Sequence, residues 1–192
     1  MDALTFWTLP GVVRGLVDSG HVVVAPDRLA RPSDWSTDTA FLAKALPPGP
    51  VVVVGGSNGC TPAVRLVLER PGRIGGLVLA WPATCGDQQV DARCGRHLAD
   101  QGADDGIVKE LLGGQTLRGI KDAELAALSL PVAVVPSLPA NPFHQRHTVD
   151  SLLALIPGAV ELPGSPEPPR LDFTLFLSAV LDALGSWPKS GS

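Results

Sequence analysis

The chain has 192 residues, 45% of them hydrophobic, which suits one domain with its own core and excludes a disordered segment. Fifteen basic against nineteen acidic residues give a net charge of −4 without any basic run that could neutralise a phosphate backbone, so nucleic acid is not an expected partner. No apolar stretch approaches the ~20 residues that cross a bilayer, and the N-terminus lacks a basic segment followed by an unbroken apolar core; no membrane partner and a cytoplasmic location are expected.

Pro10 suits the first turn of a helix that places Val12, Val13, Leu16 and Val17 on one face and stops at Gly20. Residues 21–25 (HVVVA) are a continuous apolar run ending in Pro26 and Asp27, the pattern of a parallel strand covered on both faces. A polar loop with Pro32 and Trp35 precedes a short helix over residues 38–46, closed by Pro47, Pro48, Gly49 and Pro50. Residues 51–54 (VVVV) predict a second buried strand, and residues 61–70 a helix with Pro62 in its first turn. Further strands are predicted at 76–80 (GLVLA), 131–135 (PVAVV) and 159–162. Phe173, Phe176, Leu177, Val180, Leu181 and Leu184 recur at three-and-four spacing and turn one face of the last helix toward the sheet.

Short strands alternating with helices predict an α/β fold: a three-layer domain over residues 1–185, with a mainly parallel sheet of about five strands, helices on both faces and right-handed crossovers. Residues 87–128 interrupt this rhythm with polar, glycine-containing helical sequence and read as a small lid over the strand ends, while residues 186–192 read as a flexible tail. Cys60, Cys85 and Cys94 are odd in number and form no CxxC pair, so neither disulfides nor a metal site is expected and the thiols read as buried or idle.

Chemistry enters at Gly55-Gly56-Ser57-Asn58-Gly59, a G-x-S-x-G pattern between four valines and a predicted helix. A serine on a sharp strand-to-helix turn has strained backbone geometry that small neighbours permit, hence glycine two positions away on each side. The turn pushes the Ser57 hydroxyl beyond the strand ends, and the amides at the helix start, with Asn58 foremost, suit a developing oxyanion. The alternative is a glycine-rich turn that merely lets a helix pack closely. A dinucleotide fingerprint fails on spacing, and the strand at 76–80 ends without the acidic residue that holds a ribose.

Over most of its length the chain resembles the α/β-hydrolase superfamily. HVVVAPDR (21–28) is similar to that family's strand ending in a Pro-Asp turn, VVVVGGSNG (51–59) to its elbow strand, and RIGGLVLAWPA (73–83) to the strand that follows. PVAVVPSLPANPFHQ (131–145) and PGAVELPG (157–164) resemble its last two strands. The resemblance implies an acyl-transfer enzyme, esterase-like or lactonase-like, that needs no cofactor and binds a small molecule above the carboxyl ends of the strands.

The pattern is incomplete. The family's acid follows the penultimate strand before a proline, where this chain has Asn141-Pro142, and its base follows the last strand, where residues 163–167 (PGSPE) hold no histidine. The family also begins with three further strands and a His-Gly oxyanion loop, so the start of the reading frame is expected to lie upstream, or the strands at 21–25 and 51–54 to pair directly, or a second copy to fill the edge as a homo-oligomer. Of four histidines, His21 reads as structural and His97 as part of the lid surface; His144 and His147 follow the penultimate strand, with His144 the better-placed base and a backbone-bonded loop histidine the alternative. Asp87, after the third strand, offers an acid or a helix cap.

The sequence therefore predicts a serine hydrolase of a small ester, lactone or other acyl substrate, with Ser57, His144 and Asp87 as catalytic candidates and Asn58, Gly55 and Gly59 shaping the elbow. Two alternatives stay open: a binding or scaffold domain whose catalytic set has decayed, and a non-hydrolytic enzyme on the same fold.

Overall fold

A computed structural model describes residues 2–168, 170 and 173–187. Four strands, β1 (Val51–Gly56), β2 (Ile74–Ala80), β3 (Val132–Val135) and β4 (Val160–Glu161), lie side by side in that order, each parallel to the next. Consecutive parallel strands need crossovers, and the helices supply them. Chain order gives α1 (Val12–Asp18), α2 (Trp35–Ala43), α3 (Cys60–Glu69), α4 (Gln88–Asp100), α5 (Asp105–Leu112), α6 (Asp122–Ala126), α7 (Arg146–Leu155) and α8 (Phe173–Ser186).

The unbroken apolar runs are the central strands because side chains alternate between two covered faces. Leu77, Leu79, Val132 and Val134 pack under α3, α6 and α7, whereas Val78, Ala80, Ala133 and Val135 pack against α1 and α8. All eight are at most 1% exposed, and burying each such side chain contributes roughly 1.5–3 kcal/mol for Val or Leu. Within residues 87–128, α4 and α5 pack on each other, while Leu117, Ile120, Leu125 and Leu128 belong to the core under the sheet.

The α/β class and the layering agree with the sequence; the strand count does not. Residues 21–25 form no strand, His21 and Val22 are exposed, and β1 is the sheet edge rather than the partner of an HVVVA strand. A strand needs a ladder, and no neighbour here supplies one. Side chains hold the residues that follow it: Asp27 accepts from the Ala3 amide at 2.7 Å, and buried Asp38 accepts from the Arg28 guanidinium at 2.6 Å and the Leu29 amide at 3.2 Å. Of residues 186–192, Ser186 closes α8 and Trp187 packs beside Gly76; residues 188–192 lie outside the described residues. Among the described residues no helix is long and apolar enough to cross a membrane.

Candidate active site

At the end of β1 the chain turns through a short 3-10 segment, Ser57–Gly59, into α3, and Ser57 sits at φ +53°, the left-handed region that side chains seldom adopt. A Cβ on Gly55 would stand 2.6 Å from the Gly59 carbonyl oxygen and 2.8 Å from the Ala63 Cβ, so the turn closes only over glycine. Gly56 is constrained from outside, its virtual Cβ falling 2.6 Å from Phe6 in the N-terminal π-helical turn Leu4–Thr8. Gly59, which the pattern also marked, has open space and an ordinary φ of −71°. The need for a small residue is therefore on one side of the serine.

Ser57 is half-buried and faces a cleft of about 270 Å³. Its Oγ lies 2.9 Å from His144 Nε2. The loop after β3 carries that histidine: the Thr84 amide donates to the Phe143 carbonyl at 2.8 Å, and the Gln145 amide donates to Thr84 Oγ1 at 3.0 Å, which pins the loop to the end of β2 before α7 begins. Burial pushes the His144 imidazole below its ordinary value, with the negative charge of Glu167 pulling the other way.

Glu167 arrives from the loop after β4. The sheet continues past its last strand through a Ser137–Ser165 bridge, and the Trp81 indole donates to the Ser165 carbonyl at 2.9 Å, fixing the loop against a buried ring. One carboxylate oxygen of Glu167 accepts from Ser137 Oγ at 2.6 Å; the other accepts from Asn141 Nδ2 at 2.8 Å and lies 3.7 Å from His144 Nδ1. Burial works to raise the Glu167 carboxyl, but the Ser137 hydrogen bond, its own amide and the neighbouring His144 and Arg170 leave it below the usual range. The Asn141 amide orientation is set by its partners, since Oδ1 accepts from the Phe143 amide at 3.0 Å and only an N–H can meet the carboxylate.

The remaining candidates sit elsewhere. Asp87 caps α4, accepting from the Gln89 and Val90 amides at 3.0 Å each and from Gln145 at 3.1 Å; these bonds, Val90 first, hold its carboxyl low, and it makes no bond to His144. His21, His97 and His147 are exposed. Asn58 is exposed at the mouth, its side chain 3.4 Å from Arg118. Among the described residues no group of three or more His, Cys, Asp or Glu is placed to hold a metal.

No family model and no curated protein matches the sequence. Solved structures do match. The protein Rv0554 of Mycobacterium tuberculosis superposes with a TM-score of 0.70 at 18% identity, over 92% of this chain and 84% of that one. The esterase RhEst1 of a Rhodococcus species gives 0.66 at 15% identity, over 96% and 88%. The thioesterase domain of the curacin biosynthetic pathway gives 0.67 at 16%, over 94% and 87%. The chain has the α/β-hydrolase fold. At these identities the likeness is one of fold, and the site stands on its own geometry.

In the α/β-hydrolase pattern an acid follows the penultimate strand and a histidine the last; here His144 follows β3 and Glu167 follows β4. Glu167 was not among the sequence candidates, because at residues 163–167 the α/β-hydrolase pattern has a histidine and this chain has none. Arg118, which lines the cleft from residues 87–128, had no sequence signal beyond its charge.

Proposed function

We propose that this protein is a serine hydrolase cleaving a small ester, lactone or related acyl bond, with Ser57 as nucleophile, His144 as general base and Glu167 as the acid that orients it. The observation that carries this reading is the 2.9 Å contact between Ser57 Oγ, on a strained elbow, and the imidazole Nε2 of His144. His144 takes the hydroxyl proton as Ser57 attacks the carbonyl carbon, and Glu167 stabilises the imidazolium that forms. The Asn58 amide, at the start of the turn into α3, donates to the oxyanion. Collapse breaks the bond to the leaving alcohol, which takes the proton from His144. Water, activated by the same imidazole, then releases the acid and restores Ser57. The paired helices α4 and α5 serve as the cover of the cleft.

One observation favours a non-catalytic relative. Asn141 Nδ2 lies 3.4 Å from His144 Nδ1, nearer than the carboxylate at 3.7 Å. Donation from that amide would hold the tautomer whose Nε2 carries the proton, and such a ring cannot accept one from Ser57. Turnover decides between the two. On the hydrolase reading, 4-nitrophenyl acetate or butyrate is cleaved and activity disappears in Ser57→Ala and His144→Ala; folded wild-type protein with no turnover above either variant supports the non-catalytic reading.

A further inference from the structure

The cleft beside Ser57 contains a cation that the acyl-transfer chemistry does not use. Arg118 follows α5 in a tight turn, and its carbonyl accepts from Thr61 Oγ1 at 2.8 Å, which fixes the residue against the first turn of α3. The side chain runs under α4 into the cleft and the residue is 4% exposed. A guanidinium has five N–H donors. Here one makes a short bond, in an ion pair with the Asp91 carboxylate at 2.9 Å; Asn58 Oδ1 at 3.4 Å and Cys94 Sγ at 3.7 Å are long partners, and Nε has none. A desolvated cation left under-satisfied is costly unless something completes its shell.

The charges around it point the same way. Glu167, the carboxylate that lines the cleft, has one oxygen on Ser137 and the other on Asn141, so it does not serve Arg118. At the rim Arg93 stacks on Phe143, 4.6 Å from the ring centroid, and faces a neighbouring groove that shares Val90 and Asn141 with the cleft. Among the described residues Arg93 forms no salt bridge; it lines that groove together with Asp87 and the paired Arg146, so its charge is offset in part where a ligand enters. The geometry points to an acyl group that carries its own carboxylate: Arg118 binds that carboxylate while Ser57 attacks the ester carbonyl, so the substrate class is the monoester or monothioester of a short dicarboxylic acid. A cleft of about 270 Å³ leaves room for a short chain between the two groups. This inference rests on the acyl-transfer reading for the ester half of the ligand, but not for the carboxylate half.

Two measurements test it. The first compares kcat/KM for mono-4-nitrophenyl glutarate with that for 4-nitrophenyl butyrate, which share a leaving group. The expected result is a preference of about tenfold or more for the anionic ester, weakening as salt is added, with the ratio falling about tenfold in Arg118→Gln and less in Arg118→Lys. A wild-type enzyme that does not prefer the anionic ester, or a ratio that Arg118→Gln leaves unchanged, overturns the proposal; the latter is the signature of an arginine that only ties α4 to the elbow. The second measures binding of monomethyl glutarate and neutral dimethyl glutarate to Ser57→Ala by titration calorimetry. Tighter binding of the anion, lost on adding Arg118→Gln, supports the carboxylate site even if neither ester turns over, in which case the hydrolase reading fails alone. Equal binding of the two ligands overturns the site whatever the catalytic result, and requires no arginine variant to fold.

Discussion

Replacing Glu167 by glutamine keeps the side chain's length and removes its charge from a point 3.7 Å from His144 Nδ1. Both side chains are mostly buried, 11% and 16% exposed, so the interaction is only partly screened by water. At an effective dielectric constant of ~20, a full imidazolium and carboxylate at that separation attract by about 4.5 kcal/mol. On the proposed mechanism the imidazolium forms in the transition state, so that loss falls on kcat, by as much as ~10³-fold. The pH profile moves as well. Burial lowers the His144 pKa and the Glu167 charge raises it, so removing the charge lets it fall further. A base works when neutral; the acid limb of kcat/KM, already expected below the ordinary histidine value of about 6.5, therefore shifts to lower pH in Glu167→Gln while the plateau drops. The assay is ester hydrolysis from pH 4 to 9 with both proteins checked by circular dichroism. A plateau within about threefold of wild type, or a limb that stays in place or moves up, refutes the coupling between these two side chains.

Further substitutions separate the parts of the site. Gly55→Ala, whose Cβ meets backbone at 2.6 Å, should destabilise the fold by about 1–3 kcal/mol in urea melts, whereas Gly59→Ala, with open space and a negative φ, should be neutral or stabilising by up to ~1 kcal/mol. Asn141→Asp, although it restores the superfamily's acid, puts a second carboxylate against Glu167; activity should fall near neutral pH and recover partly as one of the two protonates, seen as a new limb in the pH profile. Asp38→Ala strips the buried partner from Arg28, itself one-third exposed, and should cost ~2 kcal/mol of stability, read from the denaturant midpoint. Under native conditions one thiol, Cys94, should react with a disulfide reagent and three after unfolding, because burial shields Cys60 and Cys85 and pushes both thiols above their ordinary range.

What the sequence disclosed follows from which features are local. The elbow was legible because one short segment contains its cause: a valine strand, a glycine where the turn meets backbone, and a helix start. The central strands were legible because burial on both faces leaves an unbroken apolar run. HVVVA at 21–25 carries the same run and forms no strand, since composition records what a segment would bury and not whether a neighbour offers a ladder. The Glu167 carboxylate was hidden for a related reason. Glu167 is 23 residues from His144, and the two meet only because β3 and β4 are adjacent and Ser165 is tied to Trp81. Asp87 was attractive by position alone, and its carboxylate is spent on the amides of α4.

The proposed pairing of Ser57, His144 and Glu167 is tested most directly by the rate at which a fluorophosphonate modifies the protein, with the adduct located by peptide mass spectrometry. A single adduct on Ser57, forming at least ~10²-fold more slowly in His144→Ala and more slowly in Glu167→Gln, is the predicted result. No adduct on folded wild-type protein, or one that forms equally fast without His144, contradicts it.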